Sequence, residues 1–168
     1  MTNVANVGEN SGDPGEHRVT TALQFLDIPV YFSMSCMDLH NPAAITRHIG
    51  LSFEVQSQMI GQYNWWYWDL FSRVKDAWRA KMSWHQQTLT IALYRKSGRH
   101  RSVAATEILS RVLQNEGCVI IEPGHLCDYW WRWRGCARRG YLCRECTSIV
   151  DARKAALYAQ VGAMWREA

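Results

Sequence analysis

Four of the chain's six cysteines fall within twenty residues, Cys127, Cys136, Cys143 and Cys146, and His125 stands just ahead of them. The step Cys143-Arg-Glu-Cys146 has two intervening residues, the spacing that lets two thiolates face one tetrahedral ion. The partner pair is open: Cys127 with Cys136, or His125 with Cys136. All four ligands are needed to close such a site, so zinc would be structural here rather than catalytic. Disulfides compete for the same residues. The first residues carry neither the basic start nor the apolar segment of a secretory signal, which favours an intracellular, reducing compartment and a metal. Cys36 and Cys118 lie in or beside apolar runs and read as core residues.

The second chemical grouping is cationic. A β-rich apolar run from Thr88 stops at Tyr94, and a short loop follows with Arg95, Lys96, Arg99, His100 and Arg101 around Ser97 and Gly98. A helical pattern then begins at Ser102. Strand, cationic glycine loop and helix start in that order make a place for an anion, because the first-turn N–H groups point outward and the helix dipole adds positive charge. Gly98 permits close backbone approach, and Ser102 is placed to cap the helix or donate to a phosphate oxygen. The plainer alternative is an exposed basic turn. Four Arg/Lys within seven residues repel one another unless something negative sits among them. The loop is neither Gly-x-x-x-x-Gly-Lys-Ser/Thr nor Gly-x-Gly-x-x-Gly, which removes most support for a nucleoside triphosphate or a dinucleotide.

The segment Tyr94-Arg-Lys-Ser-Gly-Arg-His-Arg-Ser-Val103 resembles the phosphate-binding loop of the RapZ C-terminal domain family of RNase adapters, with Gly98 to Val103 as its core. Asp38-Leu-His-Asn-Pro42 is similar to that family's first strand-end motif, which carries over to Asp38, His40 and Asn41. His125 follows the next strand as a family histidine does. The resemblance covers roughly Pro29 to Leu126. It implies an α/β anion-binding domain whose partner is RNA or a phosphorylated small molecule such as an amino-sugar phosphate. Phosphate contacts would then come from Arg95, Lys96, Ser97, Gly98, Arg99, His100, Arg101 and Ser102, with His125 as a further ligand contact.

Nine tryptophans are an unusual load. Trp65, Trp66, Trp68 and Phe71 cluster with Tyr63 and Tyr67, and Trp78 follows at helical spacing; most of these are expected in the core, with a ring or two at a subunit interface. Trp130, Trp131 and Trp133 alternate with Arg132 and Arg134. Rings beside cations suit a single-stranded nucleic acid, although a small zinc segment would bury a Trp of its own. His40 reads as a turn histidine, and His17, His48 and His85 carry no constellation.

These residues must be positioned by a frame, and 168 residues suffice for one domain with a sizeable core. The net charge of +4 confines nucleic-acid binding to local patches. No apolar stretch approaches the ~20 residues of a membrane span, so no membrane partner is expected. Residues 1–22 read as a flexible tail, 23–124 as the α/β anion-binding domain, 125–148 as a Cys/Trp/Arg-rich candidate zinc segment, and 149–168 as a C-terminal helix. Within the domain, the pattern predicts strands over Ile28–Met34, Thr88–Tyr94 and Cys118–Glu122. It predicts a helix between Pro42 and His48, one or two helices over Phe53–Lys81 with a break near Gly61, and helices over Ser102–Asn115 and Asp151–Glu167. Gly117 suits the position just past a helix end. The expected architecture is a three-layer α/β sandwich with a small, mostly parallel sheet, and ligands at the carboxyl ends of its strands.

Function is expected to be non-catalytic anion binding, with a homo-oligomer compatible with the aromatic load. A phosphoester-processing enzyme or nucleotide-binding protein is the alternative, and a protein-interaction scaffold the second. A phosphocysteine mechanism needs a loop Cys with five residues between it and the arginine; Arg95 stands there, paired by that spacing with Arg101, and arginine cannot be that nucleophile.

Overall fold

The structure, a computed structural model, describes residues 2–8, 30–40, 48–83, 88–95, 100–121, 124–125, 136, 143–147 and 152–168. Lys96, Ser97, Gly98, Arg99, Asn41, Cys127 and the segment 130–134 lie outside the described residues, as does the helix expected between Pro42 and His48.

Four strands form one parallel sheet in the order β2-β3-β1-β4. They are β1 (Thr2–Gly8), β2 (Phe32–Ser35), β3 (Leu89–Arg95) and β4 (Gly124–His125). Five helices are described: α1 (Phe53–Gln62), α2 (Asn64–Ser83), α3 (Arg101–Asn115), α4 (Arg144–Thr147) and α5 (Ala152–Glu167). The α/β class expected from the sequence is the class found.

β3 organises the molecule. All seven of its residues are buried, the continuous apolar pattern of a strand covered on both faces of a parallel sheet. Because side chains alternate, Leu89, Ile91 and Leu93 share one face. They join a single core with Val55 and Met59 of α1, Trp66, Tyr67, Leu70, Phe71 and Val74 of α2, Ile108, Leu109 and Val112 of α3, and Leu157, Val161 and Trp165 of α5. Thr90, Ala92 and Tyr94 on the opposite face are buried as well, as a sheet inside a layered α/β sandwich requires.

Three expectations are corrected. The tail over 1–22 is not uniformly a tail: Thr2–Gly8 pairs along its length with β3, Thr2 opposite Leu89 and Gly8 opposite Arg95, and lies inside the sheet. Asparagines at 3 and 6 and a terminal glycine hide this strand from an apolar-pattern reading. Of the strand expected over Cys118–Glu122, the described residues 118–121 hold only a single bridge residue, Ile120; β4 comes at Gly124–His125 and pairs with β1 (Ala5 with Gly124, Asn6 with His125), so β1 separates it from β3. Ser102 is not the cap of its helix. His100 occupies that position, without a side-chain cap bond, and Ser102 lies inside α3 with no exposure.

Other boundaries follow local chemistry. Ser52 Oγ accepts from Val55 N at 3.3 Å and starts α1. The long helical pattern divides at Tyr63, two residues beyond Gly61, into α1 and α2. α3 ends in a paired closure, Gly117 N to Gln114 O at 3.0 Å and Cys118 N to Leu113 O at 2.9 Å. That motif needs a left-handed residue after the cap, and Gly117 supplies it with φ 84°. Of the aromatic cluster, Trp66, Tyr67 and Phe71 are core, whereas Trp65 is 59% exposed. Among the described residues no helix is long and apolar enough to cross a membrane.

Candidate metal centre and strand-end arginines

The cysteine cluster meets a residue from far upstream. α4 carries Cys146 and begins just after Cys143; the backbone bond from Cys146 N to Cys143 O, 3.0 Å, folds the two thiols onto one side. Cys136 Sγ donates to Cys146 Sγ at 3.3 Å and accepts from Cys143 N at 3.4 Å. His48 faces them: its Nδ1 is 3.3 Å from Cys143 Sγ and 3.8 Å from Cys146 Sγ. The four ligand atoms of His48, Cys136, Cys143 and Cys146 all lie within 4.8 Å of one another, close enough to hold a metal ion. Cys136 and Cys146 are buried and His48 and Cys143 half-buried.

The other ring nitrogen of His48 is held as well. Nε2 lies 3.6 Å from a carboxylate oxygen of Glu54 and 3.6 Å from one of Glu145. A carboxylate behind a metal-facing imidazole fixes the ring and its tautomer, and raises its basicity as a ligand. Burial opposes ionisation of Cys143, but hydrogen bonding with the Cys146 backbone and with the Cys136, His48 and Cys146 side chains outweighs it and brings the thiol down to about 7. Burial holds Cys146 well above the ordinary thiol range, although the Ile49 backbone N–H opposes it.

His48 is the member that the sequence reading set aside. It precedes Cys143 by 95 residues, so no local spacing announces it. Cys127, expected in the set, lies outside the described residues. For His125 the strand position in β4 is described.

The cationic group is gathered at the carboxyl ends of β2 and β3. Cys36 N donates to Tyr94 O at 2.8 Å and ties the two strand ends together. Arg95 closes β3 and Arg101 opens α3; each is only 8% exposed. Arg101 Nη1 donates to Met37 O at 3.2 Å, so the turn carrying Asp38 and His40 shares this edge with the helix start. Asp38 and His40 themselves are exposed, and His40 O accepts from Tyr63 OH at 2.9 Å. Burial lowers the Arg95 guanidinium to about 10, with the Arg101 charge acting in the same direction and Cys36 against it. Burial also lowers Arg101. Between the arginines Cys36 is fully buried, and that burial pushes its thiol up to about 12 against the pull of both cations. Arg101 Nε and Ser102 Oγ are buried with no hydrogen-bond partner among the described residues. Fold and site together define an α/β protein with a parallel sheet, a three-cysteine, one-histidine candidate metal centre, and arginines converging at the strand ends. Comparison with protein-family profiles, with curated proteins and with solved structures finds no match to this chain.

Proposed function

We propose that this chain is a non-catalytic, RapZ-like anion-binding protein that recognises phosphate groups, of RNA or of a phosphorylated metabolite, at the carboxyl ends of β2 and β3. The observation that carries the reading is the convergence of Arg95 and Arg101, both buried, on the N-terminal turn of α3, where Arg101 Nε and Ser102 Oγ lack partners among the described residues. A buried guanidinium costs solvation, and two together repel; an anion with several acceptor oxygens offsets both. The dipole of α3 favours the same sign of ligand. Lys96, Ser97, Gly98 and Arg99 complete the loop in sequence, and Trp130 to Arg134 would add stacking surface for a single strand.

The metal reading belongs to the same proposal. Three thiolates and an imidazole are a closed tetrahedral set suited to structural Zn²⁺. Bonds of about 2.3 Å to sulfur and 2.0–2.1 Å to nitrogen put tetrahedral ligand atoms about 3.6–3.8 Å apart. Three of the separations, 3.3, 3.3 and 3.8 Å, lie close to that geometry, and all four ligand atoms fall within 4.8 Å of one another. Bound zinc would cross-link the cysteine segment to His48 and leave no open coordination position for chemistry.

The test is titration of the purified protein with inorganic phosphate, a phosphosugar and a short single-stranded RNA at two salt concentrations. Binding that weakens with salt and is lost in Arg101→Ala supports the reading. Equal affinity of parent and variant for every ligand removes it.

A further inference from the structure

The candidate metal centre and the anion site share one turn of backbone. His48 is a metal-ligand candidate, and two residues later Gly50 presses on the first turn of α3. A Cβ on Gly50 would lie far inside contact distance of His100 O and Ala104 N, and 2.7 Å from Val103 Cβ. Only glycine allows that approach. Ile49, between the two, is fully buried and packs with Val103, Cys136 and Cys146 in a cluster separate from the main core. Gln56 Nε2 donates to Gly50 O at 3.0 Å and anchors the turn to α1. The same helix turn presents Arg101 and Ser102, and Arg101 reaches across to Met37 O. Residues 48–50 therefore have the metal ligands on one side and the anion-facing helix start on the other.

We propose that metal and anion bind cooperatively: an ion held by His48, Cys136, Cys143 and Cys146 fixes the 48–50 turn against residues 100–104 and so positions Arg101 and Ser102 for a phosphate. His48 is in this sense a positioning residue for the anion site. The inference rests on the anion-binding reading above and adds to it a second ligand that sets its affinity. Linkage is reciprocal, so phosphate tightens metal binding by the factor by which metal tightens phosphate binding.

The experiment compares phosphate affinity, by calorimetric titration with inorganic phosphate, of the zinc-loaded chain and of the chain stripped of zinc by excess chelator under reducing conditions. Affinity should fall at least about fivefold on stripping, the lower end of typical couplings between sites. Amide hydrogen exchange over 101–104 should quicken. Zinc affinity, read by competition with a chromophoric chelator, should rise by the same factor in saturating phosphate. A metal that merely held the cysteine segment together would leave zinc affinity indifferent to phosphate, and that result overturns the proposal. So does equal phosphate affinity with and without zinc, in which case the anion reading stands and the linkage alone falls. If the loaded chain binds no phosphate, both fall. Gly50→Ala covers the case in which stripping unfolds the protein. It keeps all four ligands and should retain one equivalent of zinc while losing phosphate affinity; zinc retention with unchanged phosphate affinity refutes the proposed coupling.

Discussion

Cys36 offers the sharpest quantitative test of the strand-end geometry. Its thiol is fully buried and stands at about 12 against an ordinary 9.0, burial being the dominant cause and Arg101 and Arg95 the opposing ones. The unfolded chain therefore releases this proton near pH 9, while the folded chain keeps it. Above pH 9 the unfolded state binds fewer protons, so stability falls as pH rises, at a limiting slope of about 1.4 kcal/mol per pH unit. Integrated from pH 8 to pH 10, this one group removes roughly 1 kcal/mol or a little more. Urea unfolding of the parent and of Cys36→Ala at both pH values isolates it, because the other alkaline groups are common to both. Cys36→Ala has its own fixed cost from lost volume, yet its decline between pH 8 and 10 should be smaller by roughly 1 kcal/mol or a little more. Parallel declines would mean that Cys36 ionises as readily folded as unfolded, and the closed arrangement around Arg95 and Arg101 would be wrong.

The remaining predictions concern packing and the metal. Gly50→Ala forces a methyl group against the backbone of His100 and Ala104. It should cost about 1–3 kcal/mol or more, seen as a fall of several degrees in Tm by calorimetry. Phe71→Ala, which removes a fully buried ring standing 5.5 Å from Trp165, should cost about 3–5 kcal/mol in urea unfolding. Gly117→Ala places a side chain at φ 84° and should cost about 1 kcal/mol by the same assay, the penalty a Cβ meets in left-handed backbone. Elemental analysis of purified protein should find one equivalent of zinc, and His48→Ala should lower its retention against a chelator; full retention would exclude His48 as a ligand.

The elements that sequence disclosed are those whose causes are local. β3 and α3 announce themselves through an apolar run, a cationic turn and an amphipathic stretch, and Gly117 through its place after the last helical turn. The break between α1 and α2 falls within two residues of the glycine that suggested it. What stayed hidden depends on distant partners. β1 has too few apolar residues to declare itself and becomes a strand only because β3 and β4 flank it. Ser102 has the right residue type for a cap, but the helix begins at Arg101 with His100 as its cap, and the tight approach of Gly50 to that first turn is a tertiary contact that no local pattern announces. For the metal centre, Cys143 and Cys146 were legible from spacing and Cys136 from proximity. His48 was not, because a histidine so far upstream gains its role only through the fold.

The separation of His48 from its thiol partners has a consequence for how the chain matures. Cys136 and Cys146 are ten residues apart, whereas His48 and Cys143 are 95 apart. By loop-closure entropy the long ring costs about 2 kcal/mol more to close than the short one. With the proposed zinc, a chain that met the ion before folding would take it first on the three thiols, with water in the fourth place. The imidazole would replace that water only once the fold had brought position 48 to the cysteines. The last coordination bond would then be a timestamp of folding, and the colour change of a cobalt-substituted chain would let it be read in real time.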